Sequence, residues 1–244
     1  MGRVCVIMQP SYLPWLGYFS LIDQADEFVL LDSVQFSHQG WQQRNRVRYK
    51  DGYTWLTVPA RRPSKQKLCD VRIDHSTQFT RSHIGKIHDG YRKYAKCFEL
   101  FYPEIKDAII KHESTELLCE MTIQVMSRLG ALLGMHQKFE KPFRRSSEMS
   151  VEGHRSELLV DICRAVDCVR YLSPIGSREY LLEDRAVFDD AGIEVSLQQY
   201  EHPRYDQGGA PFLSHLSIVD LLLHEGPCSL EVVRSGHRKP IELR

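Results

Sequence analysis

The chain has 244 residues, of which 42% are hydrophobic and 26% are charged, and its formal net charge is zero. These values are ordinary for a globular protein of one large domain or one domain with an insertion, and the zero net charge argues against a protein that binds polyanions over its whole surface. No apolar run reaches the roughly 18 residues of a membrane span, and the seven cysteines include no Cys-x-x-Cys pair. We therefore expect a soluble, cytoplasmic protein with reduced thiols and no membrane partner.

The first 32 residues predict one βαβ unit. Residues 4–8 form a continuous apolar run rich in β-branched side chains, which is typical of a buried parallel strand. A loop with two prolines follows, helical spacing begins at Trp15, and residues 28–31 form a second buried run. A third strand is predicted over residues 53–58.

The middle of the chain has a different pattern. Residues 76–133 show helical periodicity almost throughout, with Leu117, Met121, Val125 and Leu129 on one apolar face. We interpret residues 76–150 as a helical insertion or cap.

After the insertion, helices and strands alternate again. The pattern predicts a helix, a strand, a helix closed by Gly192, a strand and a helix capped by Ser217, over residues 157–166, 169–172, 178–191, 193–199 and 217–224. Together these elements predict an α/β protein with a doubly wound, mostly parallel sheet, in which residues 1–75 and 151–244 are two halves of one composite domain. The loops that follow Met8, Leu31, Leu172 and Gln199 should then converge, because ligands bind outside the carboxyl ends of such strands.

The loop after the first strand is one candidate ligand site. It carries Gln9 and Tyr12, and the helix that begins at Trp15 points its N-terminus toward it. Free N–H groups and the helix dipole favour anions at this position. An ordinary strand-to-helix connection would give the same pattern.

Asp32 follows the second strand directly, and Gln35 lies three residues later. A carboxylate in this position can orient a substrate hydroxyl or amine, or act as a general base. An exposed aspartate in a turn is the alternative interpretation.

A basic stretch follows in the sequence. Residues 44–67 contain eight basic residues, including Arg62, and a single acidic residue, Asp51. If the segment is extended, Arg44, Arg46 and the next two alternate basic residues share one face. This face would bind phosphates or carboxylates, with Trp41 available for stacking; a solvated surface is the alternative.

The segment after the last predicted strand combines His202, Tyr205 and Gln207. His202 fits a general acid or base, and it fits equally a loop histidine that bonds a backbone carbonyl. Glycine-rich phosphate loops and metal-ligand spacings are absent from the sequence. We therefore predict no metal site and no required cofactor.

Several segments resemble the WbqC-like family, in the family's order and spacing. They are residues 8–19 (MQPSYLPWLGYF), 31–36 (LDSVQF), 41–46 (WQQRNR), 171–181, 202–207, 216–222 and 226–227. The resemblance covers nearly the whole chain and is loose over residues 76–150. Members of the family are typically associated with the biosynthesis of bacterial surface polysaccharide (O-antigen).

This resemblance implies a role in modifying a sugar or a nucleotide sugar. Our leading hypothesis for the reaction is a transferase that adds an acyl or aminoacyl group to a nucleotide-linked amino sugar. The donor would be a coenzyme A thioester or an aminoacyl-tRNA, and Asp32 or His202 would deprotonate the attacking amine. The expected substrate-binding residues are Gln9, Tyr12, Trp15, Gln35, Trp41, Arg44, Asn45, Arg46, Tyr205, Gln207 and Asp220. Two alternatives stay open: a nucleotidyltransferase-like enzyme that uses the same cleft, and a non-catalytic module that binds a sugar nucleotide or RNA.

Overall fold

A computed structural model describes residues 2–61, 65–209 and 211–243, so that Arg62 of the basic stretch lies outside the described residues. The strands are β1 (Val4–Met8), β2 (Glu27–Leu30), β3 (Arg44–Tyr49), β4 (Gly52–Thr57), β5 (Arg144–Arg145), β6 (Arg170–Pro174), β7 (Glu194–Tyr200) and β8 (His237–Glu242). The α-helices are α1 (Leu16–Gln24), α2 (Phe79–Tyr91), α3 (Phe98–Ile110), α4 (Leu118–Leu132), α5 (Ser156–Ala165), α6 (Arg178–Glu183), α7 (Arg185–Asp190), α8 (Ile218–Glu225) and α9 (Ser229–Ser235).

A six-stranded central sheet organises the molecule, in the order β5-β2-β1-β6-β7-β8. The first five of these strands pair in parallel, and β8 is antiparallel to β7. The predicted α/β fold with a mostly parallel sheet is therefore confirmed. The continuous apolar runs of β1 and β2 arise because these strands are covered on both faces.

Helices pack on both faces of the sheet and create two hydrophobic clusters. Val6 of β1 belongs to the first cluster, together with side chains from α1, the α2–α4 helices and α8. Its neighbours Cys5 and Ile7 belong to the second cluster, with side chains from α5, α6 and α7. Successive residues of a strand point to opposite faces, so β1 contributes to both clusters.

The predicted helical segment contains α2, α3 and α4, and these helices pack on the hairpin of β3 and β4 and on α8. The same segment also contains β5, which was not predicted and which extends the central sheet beside β2. The predicted helix over residues 178–191 is divided at Asp184 into α6 and α7. Gly192 follows α7 with φ +68°, as expected of a residue that terminates a helix.

The strand predicted over residues 53–58 forms outside the central sheet. It corresponds to β4, which pairs antiparallel with β3 in a separate two-stranded hairpin. Lys50 in the connecting turn has φ +51°, a conformation that tight hairpin turns require. One face of the hairpin buries Val47 and Leu56 in the first cluster, and the other face is directed outward.

None of the helices within the described ranges is long and apolar enough to cross a membrane.

Candidate functional site

Three loops at the carboxyl ends of the parallel strands lie together. The Gln42 side-chain amide donates to Gln9 Oε1 at 2.6 Å, which joins the loops after β2 and β1. The Trp15 ring lies 5.6 Å from the Tyr200 ring and 6.1 Å from the His202 ring, which joins the loops after β1 and β7. The predicted convergence is confirmed for these three loops, whereas the loop after β6 packs on β7.

Tyr12 and Asn45 hold the loop after β1 from inside. Both side chains are buried; the Tyr12 hydroxyl donates to His83 Nδ1 at 3.0 Å, and Asn45 Nδ2 donates to the Leu13 carbonyl at 2.8 Å. Leu13 has φ +47°, an uncommon conformation for a residue with a side chain, and the Asn45 bond stabilises it. These two residues shape the loop rather than face a ligand.

The first turn of α1, where an anion was predicted to bind, is enclosed. Leu16, Gly17 and Tyr18 are buried, and the Trp15 ring lies across them. A Cβ atom at Gly17 would be 2.2 Å from that ring, so the close contact requires glycine. The terminus is therefore not open to an anion from solvent.

Asp32 is fully buried, and both of its carboxylate oxygens accept hydrogen bonds. Oδ1 accepts from the Ser147 N–H at 2.9 Å, and Oδ2 accepts from Arg145 Nε and Ser147 Oγ at 2.7 and 2.8 Å. The Asp32 N–H in turn donates to Ser146 Oγ at 3.0 Å. These bonds attach residues 144–148 to the end of β2. Asp32 therefore has the contacts of a residue that holds a neighbouring segment in place.

Asp220, Tyr205 and Gln207 meet in a second buried network. Asp220 Oδ1 accepts from the Tyr91 hydroxyl at 2.8 Å, and Oδ2 accepts from the Tyr205 hydroxyl and Gln207 Nε2 at 2.7 and 2.8 Å. Arg48 Nη2 donates to Gln207 Oε1 at 2.5 Å. Burial raises the pKa of Asp220, and the hydroxyl donors oppose this shift. The network fastens the loop after β7 to the hairpin and to α8.

Both ring nitrogens of His202 are engaged within the protein. Nδ1 lies 2.8 Å from the Pro203 carbonyl, and the His215 backbone N–H donates to Nε2 at 3.0 Å. Because a carbonyl only accepts and a backbone N–H only donates, Nδ1 carries the proton. Burial lowers the pKa of His202, which favours this neutral form and leaves no nitrogen free to deprotonate a substrate.

A cavity of about 510 Å³ opens between the loop after β2 and the hairpin, and we call it the Arg44 cavity. Its lining includes His38, Gln39, Arg44, Arg61 and Asp74. Arg44 was predicted as a site residue and Arg61 belongs to the basic stretch, whereas the other three were missed because single polar residues in turns carry no pattern. A backbone N–H bond lowers the pKa of Asp74.

The outward face of the hairpin adjoins this cavity and stacks arginines on aromatic rings. The Arg44 guanidinium lies 4.3 Å from the Trp55 ring centroid, and the Arg46 guanidinium lies 4.9 Å from that of Tyr53. Trp41 continues the row, with its ring 5.7 Å from Trp55. We call these five residues the hairpin face.

The described part of the basic stretch forms no direct ion pairs. No ion pair among the described residues includes a basic side chain from Arg44 to Lys67. Gln35, which is exposed, pairs through its backbone with Lys67 at the end of this stretch. The nearest compensation is electrostatic, because the charge of Arg61 adds to the backbone N–H bond in lowering the pKa of Asp74.

A second cavity, of about 520 Å³, lies at the opposite end of the parallel strands, where β6 and β7 begin. Its arginines are paired: Arg170 lies 3.7 Å from Glu194, and Arg185 lies 3.0 Å from Asp189. None of the predicted site residues lines it. The Arg44 cavity and the hairpin face therefore form the candidate site.

Comparison with known proteins agrees with the resemblance of the sequence motifs. The model of the WbqC-like protein family matches residues 9–232. A protein of Mycobacterium tuberculosis (strain ATCC 25618 / H37Rv), named uncharacterized protein Rv1507c, is 29% identical over 232 residues, which cover 93% of this chain and 95% of that protein. No solved structure matches the chain significantly. Since the family match spans most of the chain and all of the candidate site, the chain belongs to the WbqC-like protein family.

Proposed function

We propose that this protein transfers an acyl or aminoacyl group to the amine of a nucleotide-linked sugar, in the biosynthesis of a bacterial surface polysaccharide. The observation that carries the proposal is the pair of arginines in the Arg44 cavity, Arg44 and Arg61, which form no direct ion pair among the described residues. Guanidinium groups bind phosphates through paired hydrogen bonds. A diphosphate would therefore give these two guanidinium groups the direct anionic partner that they lack.

Other groups in the cavity suit the rest of such a substrate. The Gln39 side chain lines the cavity and can hydrogen-bond a sugar hydroxyl. Gln43 and Thr57 also belong to the lining, and their side chains carry further hydrogen-bonding groups.

The acid–base chemistry needs a group that is free to move a proton. The amine nitrogen attacks the carbonyl carbon of the donor, its proton passes to a base, and the thiol or hydroxyl leaving group takes up a proton as the old acyl bond breaks. Asp32 and His202, the first candidates, are occupied by internal bonds. We therefore assign this role to His38, which lines the Arg44 cavity; Asp74 is a weaker base because the Ser76 N–H bond lowers its pKa.

Calorimetric titration with a sugar nucleotide that carries a free amine tests the binding step. Arg44→Ala and Arg61→Ala should each weaken binding about 10- to 150-fold, because a hydrogen bond to a charged group contributes about 1.5–3 kcal/mol. Arg128→Ala on α4, where the arginine pairs with Glu104, is the matched control and should bind normally. Unchanged affinity in both cavity variants would exclude this site.

Product analysis tests the reaction. Incubation with the amino-sugar nucleotide and each donor class should yield an amide, and a sugar nucleotide with a hydroxyl in place of the amine should yield none. Release of pyrophosphate from a nucleoside triphosphate would instead identify nucleotidyl transfer. Binding with no product from any donor would identify a non-catalytic module.

A further inference from the structure

The hairpin face presents aromatic rings in a row. In β3 and β4, Arg46 is directly opposite Trp55, so the two side chains leave the hairpin on the same side. Tyr53 and Trp41 extend the row in the two directions, with ring centroids 6.2 and 5.7 Å from that of Trp55. Trp41 and Tyr53 are 52% and 49% exposed, so a ligand can reach both rings from solvent.

Positive charge lies over and beside the row. Arg44 and Arg46 lie over the rings, and the Lys86 ammonium, from α2, donates to the Trp55 carbonyl at 3.1 Å. The Arg44 cavity contains Arg61, and a cavity of about 430 Å³, which shares Thr57 with it, is lined by Trp55 and Lys86. A polyanion that crosses the rings would therefore meet several cations.

The row suits an extended single strand better than a duplex. A duplex hides the faces of its bases, whereas a single strand can stack each base on an aromatic ring while its backbone follows a basic groove. The Tyr53 ring is nearly perpendicular to the Trp55 ring, at 88°, and the Trp41 ring is tilted from it by 43°. Bases stacked on Tyr53 and Trp41 would therefore not be stacked on one another, which suits the splayed bases of a single strand. An acidic peptide would satisfy the cations but would leave the rings without a stacking partner.

We infer that the hairpin face binds single-stranded nucleic acid, with bases on Tyr53 and Trp41 and a phosphate on Arg46. One consequence rests on the proposed function. An aminoacyl group is carried at the single-stranded 3′ end of a tRNA, so this face beside the Arg44 cavity would receive the donor, while the cavity holds the amino sugar.

Fluorescence anisotropy with labelled oligouridylate and oligothymidylate of about eight nucleotides, and with a blunt duplex, tests the inference. Both single strands should bind more tightly than the duplex. Trp41→Ala and Tyr53→Ala should each weaken single-strand binding at least about fivefold, because stacking of one base contributes at least about 1 kcal/mol. Arg46→Ala should lower the slope of log affinity against log salt by about 0.7.

Tyr94→Ala is the matched control, since Tyr94 is 52% exposed and has the Lys93 ammonium 5.2 Å from its ring. It should bind the single strands as the unmodified protein does. The inference is overturned if the duplex or a polyglutamate peptide binds as tightly as the single strands. It is also overturned if Trp41→Ala and Tyr53→Ala bind normally, or if Tyr94→Ala weakens binding equally.

Parallel titrations separate this inference from the proposed function. Oligonucleotide binding without amino-sugar nucleotide binding would support the inference and refute the proposed acceptor site. The reverse result would overturn the inference alone. A preference for oligouridylate supports both the inference and the RNA-borne donor, whereas a preference for oligothymidylate supports the inference and refutes that donor.

Discussion

At the scale of single residues, Asp32 tests whether a buried carboxylate at the end of a strand has a structural or a catalytic role. Its buried carboxylate faces Arg145 and two serines that arrive from more than one hundred residues away in the sequence. Asp32→Asn removes one partner of a buried ion pair and places an N–H₂ group against these donors. We expect the free energy of unfolding to fall by about 3–5 kcal/mol, as measured by urea denaturation. An Asp32→Asn protein of normal stability that lacks transferase activity would restore the catalytic assignment.

His83 makes stability depend on pH. Burial lowers the pKa of His83 to about 3, and its two nitrogens bond the Tyr12 hydroxyl and the Thr57 carbonyl. The folded pKa lies below the value of about 6.5 in the unfolded chain, so the unfolded state binds more protons in this range and stability falls as pH falls below about 6.5. From pH 7 to pH 5, His83 should account for about 2 kcal/mol of this loss.

The His83 contribution can be isolated by denaturation of the protein and of His83→Gln at both pH values. Glutamine retains a donor and an acceptor but does not titrate. The variant should therefore lose about 2 kcal/mol less than the unmodified protein over the same interval. Equal losses in the two proteins would show that His83 titrates normally in the folded state.

At the scale of elements, Arg48 connects the hairpin to the loop after β7. Its guanidinium donates to Gln207 Oε1 at 2.5 Å and to the Pro211 carbonyl at 2.8 Å. Arg48→Met keeps much of the apolar stem but removes these donors, so the loop should open more often. Hydrogen exchange should become about 10- to 150-fold faster at the Leu213 amide, which bonds Gln207, while α5 keeps its protection. Unchanged hydrogen exchange at the Leu213 amide would show that contacts other than those of Arg48 hold the loop closed.

The approach of α2 to the hairpin depends on Gly90. A Cβ atom there would lie 2.2 Å from the Arg48 carbonyl oxygen, whereas one at Gly85, in the same helix, meets nothing within 4 Å. Gly90→Ala should therefore destabilise the protein by about 1–3 kcal/mol through overpacking. Gly85→Ala should stabilise it by about 0.5–1 kcal/mol through helix propensity. Thermal unfolding of the two variants checks the opposite signs, and equal effects would contradict the close approach.

These elements also show what the sequence predicts and what it leaves open. The strands β1 and β2 were predictable because burial on both faces selects continuous apolar runs. The strands β6 and β7 carry only short apolar runs, and their alternation with predicted helices supported their assignment. The edge strand β8 (HRKPIE) has no such pattern because most of its side chains are exposed, and β5 is only two residues long.

The site was predictable in part for a related reason. The ends of parallel strands locate the converging loops, and charge counting found the basic stretch that contains Arg44. His38 and Asp74 lie 36 residues apart in turns, so only the folded hairpin brings them to one cavity. The structural role of Asp32 could not be predicted from the sequence. Its ion-pair partner, Arg145, lies in a segment that shows no connection to β2 in the sequence.

At the scale of the whole molecule, the two hydrophobic clusters share β1 and should unfold together. Phe19 is fully buried in the first cluster and Phe188 in the second. Phe19→Ala and Phe188→Ala should each cost about 3–5 kcal/mol, and each kcal/mol should lower the midpoint of thermal unfolding by about 2–4 °C for a chain of this size.

The positions of the tryptophans make this prediction a test of one composite domain. Trp15, on the first-cluster side, and Trp41 and Trp55, in and beside the hairpin, are the three tryptophans of the chain, so fluorescence reports none of the second cluster directly. In a single cooperative transition, Phe188→Ala must still shift the fluorescence midpoint as far as the far-ultraviolet circular dichroism midpoint. A circular dichroism shift without a fluorescence shift would mean that α5–α7 unfold as a separate unit, even though β1 contributes residues to both faces of the sheet.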